Sequence, residues 1–309
     1  MSPRSTFAVT AWLGFVAAYL MFALMVIGSI VRTTGSGLAC PDWPLCHGRL
    51  IPPFESHVLI EWFHRLVALL VGLMLFATSI WVWTHREPRA KVGGLAGLAV
   101  ALYFTQALLG ALTVWRLLSP AMVSSHLAVA MLLLLTLLTL TWNARAAIDP
   151  APPRVSGVAA VRPWLALTMA WTWGQAVLGG VVSSSHACCV CPDWPTCNGR
   201  WFPAMSGLVG LQMTHRLSAY LLFVLIAFTA LRARGAGDPR VAVGAAIALG
   251  LTVLQIGLGV ANVMLQAPPW LSAAHLATAT AIFAVLAGTH HRAALVSGAA
   301  ARVALAEAT

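Results

Sequence analysis

The chain has 309 residues, of which 60% are hydrophobic and only 8% are charged. This composition excludes an ordinary water-soluble protein, because so much apolar surface cannot face water, and it predicts an integral membrane protein. Eight apolar stretches each have about the 20 residues that a helix needs to cross the hydrocarbon core. They are predicted as transmembrane helices at 8–31, 58–84, 93–115, 121–143, 161–182, 208–231, 240–263 and 270–290.

The net charge of +10 is also typical of nucleic-acid-binding proteins, so the positions of the basic residues decide between the two explanations. Twelve of them fall on one predicted side of the membrane: Arg4, Arg86, Arg89, Lys91, Arg145, Arg154, Arg162, Arg232, Arg234, Arg240, Arg292 and Arg302. The other side has Arg32, Arg49, Arg116 and Arg200, with Arg65 and Arg216 just inside helices. The positive-inside rule then predicts a multi-pass protein of the cell membrane with both termini in the cytoplasm. No nucleic-acid partner is expected.

The chain contains an internal repeat. Matching residues are separated first by 151 and then by 149 positions: Cys40 and Cys191, Cys46 and Cys197, His64 and His215, His126 and His275. The repeat predicts an all-α fold of two tandem four-helix bundles, at residues 1–148 and 163–309, joined by a cytoplasmic linker at 149–162. Because each half has an even number of crossings, both halves have the same orientation in the membrane.

Each half has a histidine near the start of its second and fourth helices. These helices run in the same direction, so the two histidines are predicted at one depth, ~8–9 Å below the outer surface. Ionisable residues inside membrane spans are rare and usually functional. A level pair can ligate a heme iron from both sides, His64 with His126 and His215 with His275. Zinc fits less well, because each pair supplies only two of the ligands it needs. Glycines that would let a porphyrin edge approach are Gly28, Gly110, Gly179 and Gly259.

One half has a carboxylate that the other lacks. Glu61 shares a helix face with His64 and Arg65, whereas the residue 151 positions later is Gln212. A carboxylate one turn from a heme ligand relays protons or stabilises a cation on the substrate, so chemistry is predicted in the first half. The alternative is a structural pairing of Glu61 with Arg65. In either case Arg65 and Arg216 are predicted to contact heme propionates.

All six cysteines lie in two loops on the outer side: Cys40 and Cys46 in the first, and Cys188, Cys189, Cys191 and Cys197 in the second. Both loops contain Cys-Pro-Asp-Trp-Pro followed by a second cysteine. A disulfide closing seven residues is expected to stabilise the fold by about 2–2.5 kcal/mol and to fix a lid over the site below. A redox-active pair that exchanges with thiol proteins is the alternative. Zinc or an iron–sulfur cluster in the second loop is disfavoured by the irregular cysteine spacing.

Together these motifs resemble the heme A synthase family, membrane enzymes that make heme A for terminal oxidases. The resemblance covers nearly the whole chain and is carried by GSGLACPDWPLCHG, EWFHR, QALLGALTV and SHLA in the first half, with THR and AHLA in the second. It implies an eight-helix bundle. It also implies an oxidoreductase that converts a methyl group of heme O to a formyl group by successive hydroxylations.

The resemblance also implies roles for individual residues. Substrate heme would be held by His64 and His126 beside the catalytic Glu61, and a resident heme b would be ligated by His215 and His275. The family's outer cysteine pair falls on Cys40 and Cys46. The second loop departs from the family pattern because it carries a full copy of the motif; its matching pair is Cys191 and Cys197, and the roles of its four cysteines stay open.

The expected partners are heme O as substrate and the lipid bilayer. Heme O synthase, an electron donor and a second copy of the chain are left open by the sequence. Three other functions compete: a bis-histidine membrane cytochrome that carries electrons, a membrane thiol/disulfide oxidoreductase built on the cysteine loops, and a heme transporter or chaperone. The electron carrier fits less well, because all four histidines lie near one face of the membrane.

Overall fold

A computed structural model describes residues 2–149 and 151–306, with side chains to residue 298. Parts of the predicted halves and linker lie outside the described residues: residue 1, residues 307–309 and residue 150. The eight helices are α1 Pro3–Thr33, α2 Ser56–Thr84, α3 Arg86–Trp115, α4 Pro120–Arg145, α5 Arg162–Ser184, α6 Gly207–Arg234, α7 Pro239–Met264 and α8 Pro269–Ala306. Each is long and apolar enough to cross a membrane. The predicted all-α membrane fold is confirmed, and the described residues form no strand.

The ends of the helices repeat along the chain. The first helix of each half ends at Thr33 or Ser184, which are 151 positions apart, and the fourth begins at Pro120 or Pro269, 149 apart. The helices are longer than the predicted apolar stretches, because their polar first and last turns continue the helical backbone. The largest difference is at α8, which was expected to end at residue 290 and extends to Ala306.

The two halves pack side by side. Within the first half α1 contacts α2 and α4, and α5 makes the equivalent contacts with α6 and α8. The halves meet where α1 lies against α8 and α4 lies against α5, two contacts that the repeat makes equivalent. Phe283 of α8 joins the buried cluster of the first half around Met21, Leu75 and Met131. Because lipid gives helices little hydrophobic reason to associate, such close side-chain packing is what holds the bundles together.

The connection between the halves packs against the second half. It forms a 3-10 turn at Ser156–Ala160, and the N–H of Val155 donates to the carbonyl of Val296 at the far end of α8 (3.4 Å). Val158 and Val161 are buried in one cluster with residues of α6, α7 and α8. The helix α5 begins at Arg162, the last residue of the predicted linker. This end of the bundle lies opposite the two cysteine loops, residues 34–55 and 185–206.

Candidate functional site

A cavity of about 910 Å³ lies below the cysteine loops and is lined by residues from both halves. All four predicted ligand histidines line it, together with Glu61 and its counterpart Gln212. Its volume is at the upper end of the range for small-molecule and cofactor sites, roughly 300–1,000 Å³. The residues singled out from the sequence are therefore brought to one place in the fold.

The histidines occupy equivalent positions in the two halves. His64 and His215 are the ninth residues of α2 and α6, and His126 and His275 are the seventh residues of α4 and α8. At 1.5 Å per residue they lie about 12 and 9 Å along their helices, so the members of a pair differ in depth by less than one turn. All four rings line the same cavity. The structure thus places two neighbouring pairs in the cavity.

Each imidazole lies against a glycine of the preceding helix. A Cβ atom added to Gly28 or Gly179 would be 3.1 Å from Cε1 of His64 or His215, respectively. For His126 and His275 the corresponding distances, from Gly110 and Gly259, are 3.3 and 3.2 Å. These contacts are tighter than ordinary van der Waals packing, so a larger residue would push the ring aside. The sequence suggested that these glycines admit a porphyrin edge, whereas here each of them accommodates an imidazole.

The ring nitrogens also indicate a site built for a ligand. The Nδ1 atoms of His64, His126 and His275 are buried; that of His64 has no hydrogen-bond partner among the described residues, and those of His126 and His275 have only a nearby backbone carbonyl, of Gln106 and Gln255, outside good hydrogen-bond geometry. A buried polar atom without a partner costs roughly 1–3 kcal/mol, which a fold retains mainly where function requires it. Paired imidazoles on glycine cradles in a largely apolar cavity fit a flat iron porphyrin with two axial ligands.

His215 differs from the other three histidines, because a side chain of another helix contacts its Nδ1 and its backbone carbonyl. The amide nitrogen of Gln175 on α5 lies 3.0 Å from its Nδ1 and donates to its backbone carbonyl at 2.9 Å. The residue 151 positions earlier is Leu24, which is buried and offers no hydrogen bond. The first-half ligand His64 therefore lacks the support that its counterpart has. Sequence reasoning missed Gln175, although comparing the halves at the repeat offset would have revealed it.

Glu61 is buried and takes part in two contacts. Its Oε2 accepts a hydrogen bond from the backbone N–H of Cys40 (2.8 Å), and its Oε1 accepts one from Arg65 (2.6 Å). The structural pairing with Arg65 is thus present, and the carboxylate also lines the cavity. The two interpretations of this residue are compatible. The Oε1 atom of Gln212, which takes the equivalent position, is buried without a partner among the described residues.

The two arginines predicted to contact propionates hold the cysteine loops. Arg65 donates to the carbonyls of Cys40, Asp42 and Leu45 at 3.1, 2.7 and 2.6 Å.

Arg216 makes the same three contacts in the second half. It donates to the carbonyls of Cys191, Asp193 and Thr196 at 3.0, 3.0 and 2.8 Å. Sequence alone cannot anticipate these bonds, because their acceptors are backbone carbonyls of a folded loop. Propionate contact by Arg65 or Arg216 stays a prediction.

Each cysteine loop is closed in the same way. Disulfides join Cys40 to Cys46 and Cys191 to Cys197. In the first loop Asp42 accepts hydrogen bonds from the N–H groups of His47 and Gly48, at 2.6 and 2.8 Å. The Gly48 amide is the main reason that the pKa of Asp42 lies below its usual value.

The aspartate of the second loop is bound more strongly. Asp193 accepts hydrogen bonds from the hydroxyl of Thr196 and from the N–H groups of Asn198 and Gly199. These bonds, led by the one from Thr196, lower its pKa to about 2. The carboxylate caps the turn as the sequence suggested, and the loop forms a compact cover above the histidines.

Two further cysteines lie beside the second loop. Cys188 and Cys189 are free thiols with their sulfur atoms 3.2 Å apart. Burial, and secondarily the hydrogen bond to Cys189, raises the pKa of Cys188 to about 11. A thiol with such a pKa is protonated at neutral pH and is a poor nucleophile. This disfavours Cys188 as the attacking group of a thiol/disulfide oxidoreductase.

Comparison with known proteins agrees with the site. The model of the COX15-CtaA family, described as cytochrome oxidase assembly protein, matches residues 11–59 and 53–287. The chain belongs to the COX15-CtaA family. Its relatives include the heme A synthase of Methylobacterium radiotolerans, 32% identical over 94% of this chain and 90% of that protein. The heme A synthase of Methylorubrum extorquens is 30% identical over 92% of this chain and 86% of that protein. The one of Halalkalibacterium halodurans is 32% identical over 67% of this chain and 70% of that protein. The family resemblance inferred from the motifs is confirmed.

Proposed function

We propose that this member of the COX15-CtaA family is a heme A synthase, an oxidoreductase that converts the methyl group of heme O to a formyl group by successive hydroxylations. The observation that carries the proposal is the duplicated pair of histidines. Each ring rests on a glycine at an equivalent place in its half, and all four line one cavity. The names of the curated relatives support the same activity.

In this proposal the two halves have different roles. The first half, ending near residue 148, takes heme O between His64 and His126. The second half, beginning near residue 163, holds a heme b between His215 and His275. A bound heme supplies the redox-active iron that oxidation of a C–H bond requires. The division is supported by Glu61, which is the one carboxylate at the cavity among the described residues and lies in the first half.

Glu61 is the group that we assign to chemistry. Two hydroxylations leave a carbon with two hydroxyl groups, which becomes a formyl group by losing water. One hydroxyl then gives up its proton and the other leaves as water after gaining one, and a carboxylate at the cavity wall is suited to accept the first proton. Arg65 and the N–H of Cys40 orient it, at 2.6 and 2.8 Å. Because the Cys40 contact uses the backbone, the cysteine loop and the catalytic group are mechanically connected. The loop above then limits the access of water to the same group.

In the membrane, we propose that the cysteine loops face the outer side and both termini the cytoplasm. The distribution of basic residues supports this orientation, with twelve Lys and Arg residues assigned to the opposite end. An oxidising compartment is also where disulfides such as Cys40–Cys46 persist.

The test is conversion of heme O in cells that make heme O but no heme A. The chain is expressed there, and the extracted pigments are separated and analysed by mass. We expect a hydroxylated heme and a heme in which one methyl group has become a formyl group. A variant with His64 replaced by alanine serves as the matched control and should yield neither. If heme O is bound by the wild-type protein but extracted unchanged, the chain is a carrier or chaperone and the proposal is wrong.

A further inference from the structure

Arg32 is a cation at the cavity that the proposed function has not used. It lies in the last turn of α1, is partly buried, and lines the cavity. Among the described residues its guanidinium has no hydrogen bond or ion pair. The carboxylates that do pair with an arginine in this part of the chain are Glu61, with Arg65, and Asp238, with Arg292. A partly buried guanidinium without a partner is unfavourable in an apolar setting, and an anion in the cavity would relieve it.

The other arginines at the cavity have different situations. Arg65 and Arg216 are bound to the carbonyls of the cysteine loops, and Arg49 is exposed in the first loop. Of the four arginines that line the cavity, Arg32 is thus the one that is both withdrawn from the surface and unpaired within the described part of the chain.

The position of Arg32 relates it to one histidine pair. Gly28 and Arg32 are four residues apart on α1, so they share a helix face one turn apart. Gly28 is the glycine against which His64 rests. Arg32 therefore lies one turn nearer the cysteine loops than the His64 ring. At the offset of 151 the second half has Ser183, which also lines the cavity but has no charge.

We propose that Arg32 binds a carboxylate of the heme that is held by His64 and His126. A heme has two propionate groups at one edge, and a guanidinium can bind a carboxylate through two parallel hydrogen bonds. This contact would orient heme O in the first half with its propionate edge towards the cysteine loops. The inference rests on the proposed function, because it assumes that the first half takes a heme.

The test compares hemin with hemin dimethyl ester, in which both carboxylates are blocked. Each probe is titrated into the purified protein in a phosphate-free neutral detergent and followed by its absorption spectrum. The His64→Ala variant identifies the part of the spectral change that belongs to the first half. We expect the wild-type protein to bind hemin roughly 10–100-fold more tightly than the ester, the range for a charge-assisted hydrogen bond. The Arg32→Gln variant should lose this preference, and Arg32→Lys should keep part of it.

Arg116→Gln is the matched control. Arg116 is an exposed arginine at the end of α3, at the same end of the bundle, and its loss should leave the preference unchanged. If Arg32→Gln weakens hemin and its ester equally, Arg32 acts through the fold and the inference is wrong. Arg32→Gln could also keep the preference for hemin over its ester but bind phosphatidylglycerol less tightly in nanodiscs. That result would identify Arg32 as a contact for lipid phosphate and would overturn the inference. If the wild-type protein binds neither probe, the proposed function itself fails.

Discussion

The two halves of this protein share a framework and differ in charge. Both have a disulfide-closed loop held by an arginine, and both have two imidazoles resting on glycines. Among the cavity positions that differ at the repeat offset, three bear on the proposed roles: Glu61 and Gln212, Arg32 and Ser183, Leu24 and Gln175. At two of them the first half has a charged residue, the acidic Glu61 and the basic Arg32, where the second half has a neutral one. In the proposed function, duplication has therefore kept the parts that hold a flat ligand and changed the parts that act on it.

This difference follows from what each task requires. Holding a heme depends on ring position and on the space beside the ring, which glycines and helix ends fix equally in both halves. Reacting with a substrate requires groups that exchange protons or bind its charges, and these are costly inside a membrane. A site that only holds a cofactor has no use for them. The charged half is thus the one in which we place the chemistry.

The largest effect is expected from exchanging the acid and the amide between the halves. Glu61→Gln should lower formation of the formyl product by ~10²–10⁴-fold, the usual contribution of general acid–base catalysis. A glutamine can still accept the hydrogen bond from the N–H of Cys40, so folding and heme content should not change. Product is measured by mass in extracted pigments, and heme by its absorption spectrum.

The reciprocal variant Gln212→Glu is the matched control and should leave product formation near the wild-type level. Equal losses in the two variants would contradict a division of roles. Unchanged turnover in Glu61→Gln would mean that this carboxylate only anchors the first cysteine loop.

A second comparison fills the glycine cradles one at a time. Gly28→Val should displace His64 and weaken heme binding in the first half, whereas Gly179→Val should do the same to His215 in the second. We expect each variant to lose roughly 10–100-fold in heme affinity at its own site, as for other residues that position a metal ligand. Heme per protein, measured after purification, should then fall by about one site in each.

The control for this experiment is Gly257→Ala on α7, because no atom lies within 4 Å of a Cβ added there. It should retain both hemes. If Gly28→Val and Gly179→Val bind as much heme as the wild type, the imidazoles are not fixed by these contacts.

Much of this arrangement could be predicted from the sequence. Hydropathy gave the eight helices because apolar length is what a bilayer requires. The repeat offset located the histidine pairs, since residues such as His64 and His215 stand at the same place in duplicated helices. Contacts to the backbone could not be predicted: Arg65 donates to loop carbonyls whose positions only the folded chain defines, and its contact with a propionate stays a prediction. The difference between Leu24 and Gln175 was overlooked because neither residue belongs to a motif.

Removing the disulfides one at a time should have a moderate and equal effect. Cys40→Ser with Cys46→Ser, or Cys191→Ser with Cys197→Ser, opens a loop of seven residues and should lower stability by about 2 kcal/mol. The measurement is the thermal unfolding midpoint in detergent. Arg65 and Arg216 still hold the loops, and Glu61 keeps its contact with a backbone N–H, so heme content and product should remain. Loss of product with both hemes retained would instead favour a thiol/disulfide role for that pair.

The smallest effect concerns the support behind the second-half ligand. If a heme iron were bound at Nε2, the proton of His215 would be on Nδ1. The side-chain amide of Gln175, whose nitrogen lies 3.0 Å from Nδ1 and whose Oε1 has no partner among the described residues, would then turn so that Oε1 accepts this proton. Such a bond makes the imidazole a stronger donor and stabilises oxidised iron. Gln175→Leu should therefore raise the midpoint potential of the second-half heme. The expected shift is on the order of 40 mV, which corresponds to about 1 kcal/mol for one electron.

Leu24→Gln is the reciprocal change and should lower the potential of a heme bound by His64 by a similar amount. Both are measured by spectroelectrochemical titration, with Gly257→Ala as the variant that leaves the potentials unchanged. A shift confined to the second-half heme in Gln175→Leu, and to the first-half heme in Leu24→Gln, would mean that one hydrogen bond behind one ligand sets the halves apart in potential. If both potentials move together in either variant, they respond to the polarity of the shared cavity and this explanation is wrong.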